Sequence, residues 1–221
     1  MIRGILFDFD GTLANSIDLI MAAFYHSGRV VLGRELSKEE IIKTFGLILP
    51  EAMAALADRP EQIDPLRDAY RAFNNEHHDA MIKPMPGAKE ALAQLKAMGI
   101  KMAVVTSKKN PMCHRGLRCC HLEEYIDAVV AYGDTTYTKP HPEPMKVAAS
   151  LLGLEPCDCL SVGDSPFDLI SGREAGALTA AVAYTTYDWQ KMLQEGKPDY
   201  VLETLDDLVT LVTRLNQQQL V

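Results

Sequence analysis

Short apolar runs alternate with amphipathic helical patterns along most of this 221-residue chain. We predict β-strands at Arg3–Asp8, Lys101–Thr106, Asp127–Ala131, Cys159–Gly163 and Leu178–Tyr184, with a brief strand near Tyr200 and Val201. Most of these runs are continuously apolar, which is typical of strands that helices cover on both faces. The alternation of strands with helices therefore predicts an α/β fold with a doubly wound parallel sheet.

One interval interrupts this order, because residues 15–81 show helical patterns and no convincing strand. An apolar stripe at helical spacing is formed by Ile63, Leu66, Tyr70, Phe73 and His77. Turn-forming residues bound the interval at Asn15-Ser16 and at Lys83–Gly87. We therefore predict a helical domain over residues 15–81, inserted into an α/β domain made of residues 1–14 and 82–221. The closing run Gln217–Gln219 is expected to be a fraying tail.

The balance of charges limits the classes of partner. The chain has 22 Lys and Arg against 30 Asp and Glu, a formal net charge of −8 at pH 7, which argues against nucleic acid or an anionic membrane. No stretch approaches the ~20 apolar residues of a membrane span, and the acidic start does not resemble a signal peptide. The five cysteines, an odd number, are typical of reduced thiols. We expect a cytoplasmic protein that is a monomer or a weak dimer.

Reactive side chains follow the predicted strands at the points where the strands end. They are Asp8 and Asp10 after the first strand, Thr106 and Ser107 after the second, Lys139 beyond the third, and Asp164 and Asp168 after the fourth. In open parallel sheets, ligands bind beyond the carboxyl ends of the strands, so we expect these side chains to meet at one edge. A single Asp after a strand is usually a helix cap or a turn residue. The pattern Asp-x-Asp-Gly-Thr, however, is expected by chance in only about one of 10³ chains of this length.

Gathered carboxylates need a cation to compensate their repulsion. Two of them about 4–5 Å apart repel by roughly 3–4 kcal/mol at an effective dielectric constant of 20. Oxygen ligands without a nearby His or Cys suit Mg²⁺. With Mg²⁺ and Lys139 in place, the local charge favours a small phosphorylated substrate in spite of the acidic chain.

Four motifs, taken in order, resemble those of the haloacid dehalogenase (HAD) superfamily: Asp8–Thr12, Thr106-Ser107, Lys139-Pro140 and Gly163–Asp168. The inserted helices resemble the helical cap of that superfamily, and residues 15–81 are called the helical cap below. The resemblance implies that Asp8 attacks phosphorus and forms an aspartyl phosphate, and that Asp10 is the general acid and base. It also implies that Thr106 and Lys139 hold the phosphoryl oxygens.

The resemblance further implies a Mg²⁺ site formed by Asp8, Asp10 and Asp164, with Asp168 as an orienting residue or an occasional ligand. The candidate substrate-binding residues are Gly11, Thr12, Arg71, His77, Ser107 and Lys108. In the alternative interpretation, His77 packs within the helical cap while Arg71 and His78 are solvated. The stretch 70–79 resembles HAD-type inorganic pyrophosphatases, and Gly46 with Pro86-Gly87 resembles phosphoglycolate phosphatases. Pyrophosphate and phosphoglycolate are therefore the favoured substrates.

Other functions are weighed against this one. The carboxyl group of Asp10 disfavours a dehalogenase, and the lack of a lysine between Phe45 and Glu51 disfavours a phosphonate hydrolase. A β-phosphoglucomutase-like enzyme or a sugar-phosphate phosphatase remains open, and the non-enzyme alternative is a phospho-acceptor or binding module. The Cys and His residues between 113 and 121 lack the usual spacing of a zinc site. Tyr187 and Trp189 are expected to pack rather than to bind.

Overall fold

A computed structural model describes residues 1–218, so Gln219 and the last two residues of the predicted α/β domain lie outside it. The strands are β1 (Gly4–Phe7), β2 (Ala14–Asn15), β3 (Lys83–Pro84), β4 (Lys101–Lys109), β5 (Ala128–Tyr132), β6 (Cys159–Gly163), β7 (Leu178–Val182) and β8 (Tyr200–Leu202). The helices are α1 (Ile17–Ser27), α2 (Lys38–Ile42), α3 (Leu49–Leu56), α4 (Ile63–Met81), α5 (Ala88–Ala97), α6 (Asn110–Cys119), α7 (Glu143–Leu151), α8 (Pro166–Ala175), α9 (Trp189–Lys191) and α10 (Leu205–Gln218). Helix α10 therefore includes Gln217 and Gln218 of the run predicted as a tail.

Six strands form one parallel sheet in the order β5-β4-β1-β6-β7-β8. Helices α5, α6 and α10 pack on one face of this sheet, and α7 packs on the other. In the central strand β1, Ile5 and Phe7 face the first layer while Leu6 faces the second, and all three side chains are fully buried. The predicted doubly wound α/β fold is thus confirmed, and burial on both faces explains the continuous apolar runs.

Two short features depart from the predicted strands. Strand β4 continues past Thr106 to Lys109, with a register irregularity against β5 between Val105 and Lys109. Strands β2 and β3 form a two-residue antiparallel pair at the two ends of the helical cap. Two-residue strands have no periodicity to detect, which is why the sequence pattern does not reveal them.

The helices of the cap share an apolar core of their own. It contains Phe24, Leu36, Ile41, Met53 and Leu66, and the rings of Phe24 and Tyr70 lie 4.9 Å apart. This separate core supports the proposed division at residues 15–81. Among the helices within residues 1–218, none is both long and apolar enough to cross a bilayer.

The buried face of α4 differs from the predicted stripe in its last turns. His78 is fully buried, whereas His77 is half-buried and stacks on Phe73 with a ring distance of 4.1 Å. The expectation that His78 is solvated is therefore wrong. His78 is buried because the end of α4 packs on α6. Asp79 of α4 accepts hydrogen bonds from two residues of α6, Arg115 at 2.8 Å and Cys119 at 3.1 Å.

Candidate active site

The end of β1 delivers Asp8 and then turns back sharply. The backbone N–H of Asp8 donates to the carbonyl of Val162 at 2.9 Å, which continues the sheet by one residue. Gly11 follows with a positive φ of 87° and donates its N–H to the carbonyl of Ala14 at 2.8 Å. A Cβ atom at Gly11 would collide with the carboxylate of Asp164. Glycine is therefore needed here both for the left-handed backbone and for the close approach of the next acidic strand end.

A buried ion-pair network surrounds Asp8. The ammonium group of Lys139 donates to Oδ1 of Asp8 at 2.7 Å, to Oδ1 of Asp168 at 2.6 Å and to the carbonyl of Val105 at 2.8 Å. The second oxygen of Asp168 accepts hydrogen bonds from the hydroxyl and the N–H of Ser165, which caps α8. Both oxygens of Asp168 thus hold neighbouring protein groups, which supports the orienting role.

Three buried carboxylates, those of Asp8, Asp164 and Asp168, bring oxygen atoms within 4.8 Å of one another. Oδ2 of Asp8 and the carboxylate of Asp164 accept no hydrogen bond from any side chain or backbone N–H of residues 1–218. Unpartnered, buried and all-oxygen donors fit Mg²⁺, which binds through one or two carboxylates plus water and substrate oxygens. The donor atoms of this cluster therefore match the ligand preference of Mg²⁺, and Asp8 and Asp164 are the two carboxylates available to bind it.

Asp10 lies on the same side of the sheet but has different partners. The ammonium group of Lys108 contacts both of its oxygens, at 2.6 and 2.9 Å, and the hydroxyl of Ser16 donates to Oδ1 at 2.5 Å. Lys108 is in the extension of β4, and Ser16 directly precedes α1 of the helical cap. Asp10 is therefore held between the sheet and the start of the helical cap.

Burial perturbs the acidic groups of this network. Burial, together with the Asp168 and Asp10 carboxylates, raises the pKa of Asp8 from 3.8 to about 7, although Lys139 acts in the opposite direction. Burial and the charges of Asp8 and Asp168 likewise raise the pKa of Asp164 well above 3.8. Burial alone would lower the pKa of Lys139, but the Asp168 and Asp8 carboxylates raise it above its usual value, so this side chain stays charged.

These raised pKa values predict how the stability of the metal-free protein depends on pH. The folded state binds the protons of Asp8 and Asp164 more tightly than the unfolded chain does, so their contribution to stability falls as pH rises through about 7. Urea unfolding in EDTA between pH 5.5 and 8.5 should show this decline, and Asp8→Asn should flatten it. An equally steep decline in Asp8→Asn would contradict the assignment.

The network opens into a cavity of about 310 Å³ between the sheet edge and the helical cap. The residues predicted from the sequence that line it are Asp8, Asp10, Arg71, Thr106, Ser107, Lys108, Lys139, Asp164 and Asp168. Thr106 points its hydroxyl oxygen toward the N–H of Lys108, at 3.1 Å. Side chains from four strand ends and from the helical cap therefore meet around one partly open cavity.

Gly11, Thr12 and His77 are predicted substrate-binding residues that do not line this cavity. Thr12 is fully buried, and its carbonyl accepts a hydrogen bond from the hydroxyl of Tyr184 at 3.0 Å. His77 stacks on Phe73 and its Nδ1 lies 3.0 Å from the carbonyl of that residue. Gly11 and Thr12 thus lie in the turn that follows Asp8, and His77 packs within the helical cap.

Several residues at the cavity were not among the candidate site residues predicted from the sequence. They are Asn74 and Asn75 of α4, Ser165, and Tyr187, whose hydroxyl donates to the carbonyl of Phe45 at 2.6 Å. Tyr187 therefore lines the cavity, and the hydrogen bond that it makes there is with the protein itself. Trp189 packs, as expected, against a small apolar cluster with Leu169 and Met192. Two signals in the sequence point to Asn74 and Asn75: their spacing from Arg71 on one helix, and their place in the stretch 70–79 that resembles HAD-type inorganic pyrophosphatases.

The loop before α3 brings the helical cap onto the sheet edge. Besides the Tyr187 contact, the hydroxyl of Ser107 donates to the carbonyl of Gly46 at 3.3 Å. Gly46 has a positive φ of 83°, and a Cβ atom there would overlap the ring of Phe167. A residue larger than glycine would separate the two parts, so this position is needed to close the cavity.

The cysteines and histidines between 113 and 121 do not share one site. Cys113 is buried in the main core, where burial raises the pKa of its thiol to about 12. Nδ1 of His114 instead lies 2.8 Å from Glu123, and Cys119 contacts Asp79. These residues therefore have separate structural contacts.

Comparison with known proteins identifies the relatives of this chain. A family model described as "Haloacid dehalogenase-like hydrolase" matches residues 5–182. "Pyrophosphatase PpaX" of Bacillus cereus is 33% identical over 216 residues, covering 98% of this chain and 99% of that protein. "Pyrophosphatase PpaX" of Bacillus mycoides is 34% identical over 215 residues, covering 97% and 99%. A crystal structure titled as a predicted phosphoglycolate phosphatase from Haemophilus somnus has a TM-score of 0.88 at 23% identity, covering 96% of this chain and 98% of its own.

Proposed function

Because this chain belongs to the haloacid dehalogenase-like hydrolase family, we propose that it is a Mg²⁺-dependent phosphohydrolase acting through an aspartyl phosphate. The observation that carries the proposal is the buried Asp8–Lys139–Asp168 network, with ion-pair distances of 2.7 and 2.6 Å, in the lining of the cavity. Burying several carboxylates around one lysine costs folding stability, and such clusters of perturbed ionisable groups are concentrated at binding and catalytic sites.

The proposed reaction has two steps, each with its own bond changes. In the first, a carboxylate oxygen of Asp8 forms a bond to phosphorus while the bond from phosphorus to the leaving oxygen breaks, and Asp10 gives that oxygen a proton. In the second, water attacks the same phosphorus, Asp10 takes its proton, and the bond to Asp8 breaks to release inorganic phosphate. Asp10 thus ends in its starting protonation state.

The surrounding residues act by position and charge. Lys139 holds Asp8 in place and offsets negative charge on the phosphoryl oxygens, together with the hydroxyl of Thr106. Asp168 fixes Lys139, and Ser16 and Lys108 orient Asp10. Asp8 and Asp164, with the backbone of Asp10, would hold Mg²⁺, which when bound neutralises the carboxylates and polarises the phosphoryl group.

The favoured substrates are inorganic pyrophosphate and phosphoglycolate. Two close relatives named as pyrophosphatases support the first, and Arg71 on the cavity wall is compatible with a second anionic group in either. A sugar phosphate that fits a mutase or a sugar-phosphate phosphatase is the alternative.

A substrate panel tests this proposal. With Mg²⁺ present, purified protein should release phosphate from pyrophosphate or phosphoglycolate with a kcat/KM at least about tenfold above that for glucose 1-phosphate, glucose 6-phosphate or a nucleoside monophosphate. EDTA should abolish the release, and added Mg²⁺ should restore it. A sugar phosphate as the best substrate, or an isomerised sugar phosphate as the product, would contradict the substrate assignment.

A further inference from the structure

One face of α4 provides nearly all the polar side chains that the helical cap turns toward the cavity. They are Tyr70, Arg71, Asn74 and Asn75, and a spacing of one, four and five residues places them on the same side of a helix. The remaining cap-side wall is mostly apolar, formed by Ile17, Ile20, Phe24, Phe45, Leu47, Leu49, Pro50 and Ala52. The hydroxyl of Thr44, which also lines the wall, already donates to the carbonyl of Ile41 at 2.7 Å.

Asn74 is a largely buried residue of the cavity wall whose side-chain amide has no hydrogen-bond partner within residues 1–218. The residue is only 7% exposed. Its amide atoms remain accessible, unlike the unpaired side-chain atoms of Thr12 and His78, which are completely buried. Asn74 lines the cavity, so its amide is accessible from there. The amide therefore has hydrogen-bonding capacity that a ligand in the cavity can use.

Arg71 is the matching cation. No carboxylate in the described part of the chain forms an ion pair with it, whereas Arg67, one turn earlier on α4, pairs with Asp64 at 2.5 Å and with Asp68 at 3.0 Å. Of the three lysines that line the cavity, Lys139 is paired with Asp8 and Asp168 and Lys108 with Asp10. The third, Lys109, is exposed and forms no ion pair within residues 1–218. A second anionic group entering the cavity would therefore meet Arg71 without first breaking an ion pair.

We propose that Arg71 and Asn74 bind an anionic oxygen group on the leaving-group side of the substrate, either a second phosphoryl group or a carboxylate. This inference rests on the proposed function, because it assumes that the reacting phosphoryl group lies at Asp8. A guanidinium group offers paired N–H donors that match such oxygens, and the amide of Asn74 adds another donor. The apolar side chains of the wall lower the local polarity around the contact, which strengthens it relative to the same contact in bulk water. The two residues thus determine specificity for substrates with two anionic ends.

Steady-state kinetics with three substrates tests the inference. Pyrophosphate and phosphoglycolate each carry the second anionic group, while ethyl phosphate lacks it. For Arg71→Gln and for Asn74→Ala, kcat/KM for the two former substrates should fall about 10- to 100-fold, mostly through KM, as expected for loss of a hydrogen bond to a charged group. The value for ethyl phosphate should change by less than about threefold, and Arg71→Lys should recover part of the loss. The substrate with the larger loss identifies the phosphoryl or the carboxylate form of the group.

The matched control is Arg67→Gln, which removes a cation from the same helix without touching the cavity, and it should leave all three values unchanged. An equal loss for all three substrates in Arg71→Gln, or no loss for any, would overturn the inference.

A binding measurement separates this outcome from a failure of the proposed function. In calorimetric titrations of the Mg²⁺-loaded protein, Arg71→Gln should weaken methylenediphosphonate at least about tenfold and leave methylphosphonate unaffected. If the wild-type protein hydrolyses neither these three substrates nor any other member of the substrate panel yet shows this selective weakening, the proposed function is wrong and the binding site stands. Equal affinity of wild type and Arg71→Gln for methylenediphosphonate would refute the site itself.

Discussion

Replacing Asp8 with Asn should lower kcat for Mg²⁺-supported phosphate release by at least about 1,000-fold for every substrate in the panel. Asn has nearly the same shape as Asp but does not form the proposed aspartyl phosphate and carries no charge for a metal. The loss should appear in kcat because it removes the covalent step itself. Single-turnover phosphate release, followed with an excess of protein, measures this directly.

The control for this experiment is Asp206→Asn, which neutralises an exposed carboxylate on α10 that does not line the cavity, and it should keep wild-type kcat. The metal-free Asp8→Asn protein should also unfold at the same or a higher urea concentration above pH 7, because it lacks one of the crowded buried charges. Retention of more than about a tenth of wild-type kcat by a correctly folded Asp8→Asn protein would exclude Asp8 as the nucleophile.

Replacing Lys139 with Met should damage both stability and activity. The substitution leaves the buried carboxylates of Asp8 and Asp168 without their shared cation, and removal of one partner from a buried ion pair costs about 3–5 kcal/mol. Loss of a charge that stabilises the transferring phosphoryl group should lower kcat by about 100-fold or more. Urea unfolding and steady-state kinetics on the same preparation measure the two effects.

Two further variants separate these effects from nonspecific ones. Lys146→Met removes an exposed lysine of α7 and should change neither quantity. Adding Asp168→Asn to Lys139→Met should recover part of the lost stability, because one uncompensated charge disappears, while activity should stay low. If Lys139→Met alone were as stable as the wild type, the ion-pair network would not hold this part of the fold together.

The strands and the reactive side chains at their ends could be predicted from the sequence because both have local signals. A strand covered on both faces is apolar at nearly every position, as Gly4–Phe7 is and as Cys159–Gly163 is apart from the buried Ser161. The order of parallel strands then brings their carboxyl ends together, so Asp8, Lys139 and Asp164 converge whatever the details of packing.

Which residues of the helical cap are buried and which line the cavity was harder to predict, because helical spacing does not reveal what a helix face contacts. His77 and His78 are adjacent in sequence, yet only His78 is buried, since α6 covers that side of α4. Tyr187 reaches the cavity through a loop that bends toward Phe45, and no pattern in the sequence encodes that approach.

The net charge of the chain, like its helical spacing, predicts some properties and not others. The acidic balance of −8 argues from the sequence alone against a polyanionic macromolecule as a partner, but it carries no information on the sign of the field inside one cavity. That field depends on which charges are already paired: Lys139 and Lys108 are, whereas Arg71 has no carboxylate partner within residues 1–218.

Local periodicity and the motifs at the strand ends were thus sufficient to establish the α/β fold, the family resemblance and the carboxylates of the candidate site. The tertiary structure alone decided which cap residues face those carboxylates, namely Arg71 and Asn74 rather than His77. The physical reason is that backbone pairing in a parallel sheet constrains where strand ends meet, while the rotation of a packed helix depends on distant side chains on every element that surrounds it.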